Sequence, residues 1–144
     1  ATEKTLSSNL FLKTSDRFSK GINIHEQIGF DLVRIIEENG INEELLTPKL
    51  KEYIEPMLEK NIDHLVLGCT HYYYLMYLLK KILPNGVKIL DSSRAVTKRV
   101  KNLLKDYNID SNTSKTKNIF LCTGNDNIIK KFLSSNDKIS KVNL

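Results

Sequence analysis

The stretch Leu65-Val66-Leu67-Gly68-Cys69-Thr70-His71-Tyr72 places a thiol, a hydroxyl and an imidazole side by side at the end of an apolar run. Gly68 lets the backbone turn sharply or pass close to a ligand. Cys69 then stands where a helix is expected to begin, and there unpaired N–H groups and the helix dipole favour a thiolate or a bound carboxylate. Thr70 offers a hydroxyl and an N–H to a carboxylate. His71 offers an acid, a base or an orienting partner for the thiol. From these residues alone, other roles stay open. A cysteine closing an apolar strand also serves as a small buried hydrophobe, and His71 beside three tyrosines also suits an interface. A zinc site would need His25 or His64 to join Cys69 and His71, because two ligands do not make one. Cys122 closes a second apolar run ahead of Thr123 and is the other thiol to weigh.

These residues need elements to position them. Residues 2–13 carry Leu6, Leu10 and Phe11 at near-helical spacing, and Ile22 with Ile24 gives a short alternating run compatible with a strand. A helix is expected from about Gly29 to Glu38, with Ile28, Leu32, Ile35 and Ile36 on one face and Asn39-Gly40 as its stop. A second spans about Glu43 to Lys60, bent near Pro48 and Pro56, with Leu50, Ile54, Met57 and Leu58 as its stripe. Ile62 to Leu67 has the pattern of a buried parallel strand, residues 72–83 of a helix, and Val87 to Leu90 of another strand. Asp91-Ser92-Ser93 is an N-cap cluster for an amphipathic helix from about Arg94 to Tyr107. A polar connector over Ser111 to Lys117 leads to a strand at Asn118–Cys122, a turn at 123–126 and a short helix at Asn127–Leu133. The polar last residues are expected to fray. Short buried strands alternating with helices predict an α/β fold, a mainly parallel sheet flanked by helices. In such sheets ligands bind beyond the carboxyl ends of the strands, which is where Cys69, Asp91 and Cys122 fall.

The bulk composition narrows the classes. The 144 residues have room for a core without disulfides or metals, and 40% hydrophobic with 27% charged residues is ordinary globular usage. The net charge of +5 comes from 22 Lys and Arg against 17 Asp and Glu. Of the basic residues 18 are Lys and four Arg, beside 14 Asn, so the excess reads as general Lys/Asn enrichment. A nucleic-acid site would add clustered Arg with interleaved aromatics, so no nucleic-acid partner is expected. Two cysteines make no disulfide framework, and reduced thiols in the cytoplasm are expected. No apolar run nears the roughly 20 residues that span a bilayer, and no signal peptide is evident, so no membrane partner is expected. A chain opening on Ala1 rather than Met is expected to continue from something upstream.

The string LVLGCTHY resembles the signature around the second catalytic cysteine of glutamate racemases, of the aspartate/glutamate racemase superfamily, matched through Tyr72. Other stretches resemble that family in the same order. ATEKTLSS is similar to its Gly-Thr-x-Ala-Thr segment and following Ser, and FDLVRIIEENG to the helix ending in a Glu-rich Gly stop. KILDSSRAVTKRV is similar to its Ile-Asp-Ser element, and FLCTGN to a late strand ending in Thr-Gly. Only GCTHY is specific; the others gain force from order and spacing. The resemblance covers the C-terminal part of the family. It implies a racemase-type domain at 1–91 lacking its first strand, and a helix–strand–helix segment at 92–144 that packs on a missing N-terminal domain. It also implies interconversion of L- and D-glutamate for peptidoglycan synthesis, cell-wall biogenesis and cell shape. Two thiols on opposite faces of the α-carbon would do this without cofactor or metal. By position Cys69 would be the second acid/base thiol, His71 its assistant, Glu37 a support for the histidine or thiol, and Thr70 and Thr2 substrate-binding residues. Glutamate, the N-terminal half and a second copy of the chain are the implied partners.

There are departures from the family pattern. Tyr73 stands where the family has Pro, and Gln27-Ile28-Gly29-Phe30 replaces its Ala-Cys-Pro-Leu stretch. The Asp-Ser-Gly, Tyr-Gly and Ala-Cys-Asn-Thr segments, the last with the first catalytic thiol, have no counterpart in this sequence. Cys122 matches a packing element rather than that thiol. Three other readings compete: another aspartate/glutamate-type racemase, a non-catalytic packing module, and, resting only on the pI of 9.1, a small nucleic-acid binder.

Overall fold

The computed structural model describes residues 1–109, 118–134 and 137–143; the connector expected at 111–117 lies outside them. Thr2 and Ser8 each accept a hydrogen bond on the side-chain oxygen, from the Thr5 and Phe11 N–H groups at 3.3 and 3.1 Å. Each thereby caps its own helix, so the single helix expected over 2–13 is two, α1 (Glu3–Leu6) and α2 (Asn9–Phe18). Residues 22–29 form neither helix nor strand, in contrast to the strand expected around Ile22 and Ile24. Alternation alone makes no strand; a neighbour must take its hydrogen bonds. Ala1 takes such bonds at one end only: its amine donates to the Gln27 carbonyl at 2.8 Å and its carbonyl accepts from Gly29 N–H at 3.0 Å.

Helix α3 (Leu32–Asn39) starts later than expected, because Asp31 at its N-cap is left-handed (φ 62°), and ends at Gly40 (φ 69°). Helix α4 (Glu43–Leu58) is capped by the Asn42 side chain and accommodates Pro48 and Pro56. Strand β1 (His64–Val66) is followed by a 3-10 helix (Thr70–Leu75) that runs into α5 (Met76–Ile82). Strand β2 (Lys88–Leu90) lies parallel to β1 in the register His64↔Lys88, Leu65↔Ile89, Val66↔Leu90. Asp91 accepts from the Ser93 N–H at 2.8 Å and from its hydroxyl, starting α6 (Ser93–Asp106) and holding the Asp91 carboxyl below the usual carboxylate range.

The chain divides into two compact units, Ala1–Arg94 and Ala95–Leu144. The core of the first is Leu32 and Ile36 of α3, five side chains of α4 from Leu46 to Met57, Leu65 of β1, and Tyr72, Leu75, Leu78, Leu79 and Leu83. Burial of each such side chain contributes about 1.5–3 kcal/mol, so most of this unit's stability lies beneath α3, α4 and α5. In the second unit β3 (Ile119–Cys122), α7 (Asp126–Lys130) and β4 (Lys138–Lys141) form a β–α–β arrangement, with β4 parallel to β3. The last residues therefore do not simply fray: Ile119↔Lys138 through Cys122↔Lys141 pair along the whole strand. Helix and parallel strand alternate through both units, the α/β class expected. No described helix is long and apolar enough to cross a membrane.

Candidate active site

The ladder between β1 and β2 runs one step past the strands, with Leu67 N–H donating to the Leu90 carbonyl at 2.8 Å. Gly68 follows, and its lack of a side chain is required. A Cβ there would lie 2.8 Å from the Ala1 Cβ and 3.9 Å from Thr5 Cγ2, so the chain's first residues rest against this turn. Cys69 comes next, half-buried and extended (φ −148°, ψ 138°), as the N-cap residue of the 3-10 helix. Its thiol makes no capping bond and instead faces His71 Nδ1 at 4.0 Å. On the other side of the ring, Nε2 meets Glu37 Oε1 of α3 at 2.9 Å. The His71 and Glu37 side chains are 31% and 32% exposed, enough to exchange protons with a ligand and too little to be diluted in bulk water.

This line dictates a chemistry. A carboxylate on Nε2 holds the proton there, which leaves Nδ1 as the acceptor turned toward the sulfur. The imidazole can then take the thiol proton, and the charge it acquires is balanced by Glu37. At 4.0 Å the sulfur contact is long for a proton transfer, as is common before a substrate closes a site. Structure thus brings three of the five expected residues together: Cys69, His71 and Glu37. Thr70 is adjacent and exposed at the first position of the 3-10 helix. Thr2 reaches the same strand end only through Ala1, and its hydroxyl pairs with Thr5 Oγ1 at 2.8 Å while capping α1. Cys122 belongs to the other unit, at the end of β3.

The residues that a zinc site would recruit are otherwise placed. His64 Nδ1 sits 3.0 Å from Asp63, His25 is exposed, and no group of three His, Cys, Asp or Glu among the described residues is arranged to hold a metal ion. One residue went unrecognised in the sequence. Tyr72 is buried, with its hydroxyl 3.1 Å from the Gly29 carbonyl and 3.4 Å from that of Ala1. Burial, and then the neighbouring Cys69 and Tyr53, push this phenol up to about 12, so it remains a neutral donor. Its signal was the spacing Tyr72, Leu75, Leu79, which singles it out from exposed Tyr73, Tyr74 and Tyr77.

A cavity of about 990 Å³ lies beside these residues, between 22–27 and 64–68. Phe11, Phe18, Tyr53, Ile54 and Met57 line it, whereas Cys69, His71 and Glu37 do not. Its lining is largely apolar, with His25, Glu26, Asp63 and His64 among its polar groups, and the Cys69–His71–Glu37 line stands outside it.

No family model matches the chain. A glutamate racemase of Stutzerimonas stutzeri is 32% identical over 124 residues, which is 86% of this chain and 47% of that protein. One from Pseudomonas putida is 38% identical over 104 residues, 72% of this chain and 39% of its own length. The crystal structure of glutamate racemase from Francisella tularensis in complex with D-glutamate is 26% identical. It superposes with a TM-score of 0.81 over 100% of this chain and 55% of that one. The chain spans about half the length, or less, of the curated relatives it matches. By both sequence and fold, this chain is similar to the glutamate racemases over about half of their length.

Proposed function

We propose that this chain supplies one half of a cofactor-independent glutamate racemase active site, and that Cys69 is its proton-transferring thiol. The observation that carries this reading is the Cys69–His71–Glu37 line at the end of β1. With His71 holding the thiol's proton, the Cys69 thiolate removes the α-proton of glutamate, forming S–H and breaking C–H. The electron pair left on the α-carbon spreads into the adjacent carboxylate, which the Thr70 hydroxyl and N–H stabilise and the Thr2 segment helps to hold. A second thiol, on the opposite face, donates its proton to that carbon and completes the inversion. That thiol is assigned to a complementary N-terminal half, which these residues do not include. No cofactor enters the scheme, because the carboxylate itself takes up the charge.

Residues 1–91 read as the second racemase domain without its first strand, and 92–144 as a closing segment that packs on the other domain. Among the described strands β1 pairs with β2 alone, which supports the first part. Glutamate is the proposed substrate, a second copy of the chain a proposed partner, the cytoplasm the proposed location and peptidoglycan supply the proposed role. A non-catalytic packing module is the second reading, favoured by the absence of the opposite thiol from this sequence.

Incubation with L- and D-glutamate in D₂O, followed by NMR and circular dichroism, tests the proposal. One thiol alone returns deuterium to the face it took the proton from. Exchange is expected with one enantiomer only, with optical activity kept and with complete loss in Cys69→Ala. Exchange that survives Cys69→Ala contradicts the assignment. Rapid loss of optical activity that needs Cys69 contradicts the half-site and points to Cys122 or a second copy.

A further inference from the structure

Adjacent residues of the 3-10 helix tie it to the segment that carries Glu37. His71 Nε2 meets Glu37 Oε1 at 2.9 Å, and the Tyr72 hydroxyl donates to the Gly29 carbonyl at 3.1 Å, at the approach to α3. A single tether would let a short 3-10 helix swing about it; two, from adjacent residues about a third of a turn apart, fix its rotation. The Tyr72 oxygen also lies 3.4 Å from the Ala1 carbonyl oxygen, and Gly29 N–H donates to that same carbonyl at 3.0 Å. Three chain segments therefore meet at one phenol: the one leading to Thr2, the one leading to Glu37, and the one carrying Cys69 and His71. Gly29 is fitted to this junction, because a Cβ there would lie 2.5 Å from the Tyr72 oxygen. Tyr73 and Tyr74 beside it are 54% and 41% exposed, so burial is particular to this ring.

We infer that Tyr72 is a positioning residue, whose hydroxyl on Gly29 and Ala1 sets the His71 ring between Cys69 and Glu37. The inference rests on the reading of Cys69 and His71 as the proton-transfer pair. The Tyr72 hydroxyl bonds to backbone carbonyls, and the residue acts by holding the turn on which the 4.0 Å contact depends.

The test is the alkylation rate of Cys69 by iodoacetamide at neutral pH, in the full chain carrying Cys122→Ser. The parent is compared with Tyr72→Phe, His71→Gln and the double variant, with circular dichroism to verify each fold. Tyr72→Phe removes one oxygen and keeps the ring, so the core stays filled. It is expected to slow alkylation roughly three- to tenfold, the scale of one hydrogen bond. In the His71→Gln background the same change is expected to do almost nothing, because its effect passes through the imidazole. Equal slowing in both backgrounds would assign Tyr72 a general structural role and overturn the inference, as would an unchanged rate in the first. A His71-dependent rate that ignores Tyr72→Phe removes Tyr72 alone. A rate indifferent to His71→Gln removes the thiol–imidazole pair beneath it, and this inference with it.

Discussion

His71 gains its meaning from what stands on either side of the ring. The thiol two residues earlier comes from the same turn, whereas the carboxylate comes from 34 residues earlier in the chain. The first pairing was legible in the spacing of Gly-Cys-Thr-His. Glu37 was reached only through the family resemblance, since by itself it reads as a solvated carboxylate at a helix end. Its charge is testable. Glu37→Gln keeps a hydrogen-bonding group at Nε2 but cannot balance an imidazolium. Cys69-dependent α-proton exchange should fall on the order of tenfold, short of the 100-fold or more that follows loss of a direct proton-transfer group. Exchange unchanged in Glu37→Gln would reduce the contact to packing. Tyr72 makes a prediction of its own. Its pKa rises in the fold from the usual 10 to about 12, first through burial, then through Cys69 and Tyr53. The fold thus favours the neutral phenol, and that contribution is whole below pH 10, declines above it, and is gone once pH passes 12. Chemical denaturation across this range should show the parent losing more stability than Tyr72→Phe. Parallel curves would remove the burial effect.

The elements were legible to differing degrees, for physical reasons. Helices α3, α4 and α6 showed in the sequence because a 3.6-residue stripe and a cap are local features. The limits of α3 did not, because Asp31 adopts a left-handed conformation that its residue type does not announce. Strands fared worse, since a strand exists only by pairing. Ile22 and Ile24 alternate well yet stay 63% and 46% exposed and belong to no strand. The Lys138–Lys141 segment, polar enough to suggest fraying, becomes β4 because β3 is beside it. The turn between β1 and the 3-10 helix depends on Gly68. Gly68→Ala places a methyl group 2.8 Å from the Ala1 Cβ and must push the Ala1–Thr5 stretch off the site. Amide exchange at Thr5 and Leu6 should speed up in this variant while α4 remains protected. Uniform protection would show that the turn tolerates a side chain. In contrast, Leu78→Ala, within the core of α5, should destabilise the unit by roughly 2–5 kcal/mol in denaturant unfolding.

At the scale of the molecule, the cavity beside β1 has a consequence for behaviour in solution. One edge of β1 is paired with β2, and residues 64–68 also wall the apolar space shared with 22–27. An open strand edge beside exposed Ile22, Ile24 and Val66 invites another chain. Sedimentation should therefore show concentration-dependent self-association, and hydrogen exchange should show weak protection over 118–133, where Ile119 and Leu121 remain 60% and 65% exposed. A compact monomer with well-protected amides there would mark the chain as a self-sufficient domain. Two thiols compete for the chemistry: Cys69, which faces an imidazole backed by a carboxylate, and Cys122 at the end of β3. Iodoacetamide labelling of both in the folded chain, site by site and across pH, reads this directly. Cys69 is predicted to react faster than Cys122 near neutral pH and to lose that advantage in His71→Gln. Equal rates, or faster labelling at Cys122, would contradict the assignment of Cys69 as the proton-transferring thiol.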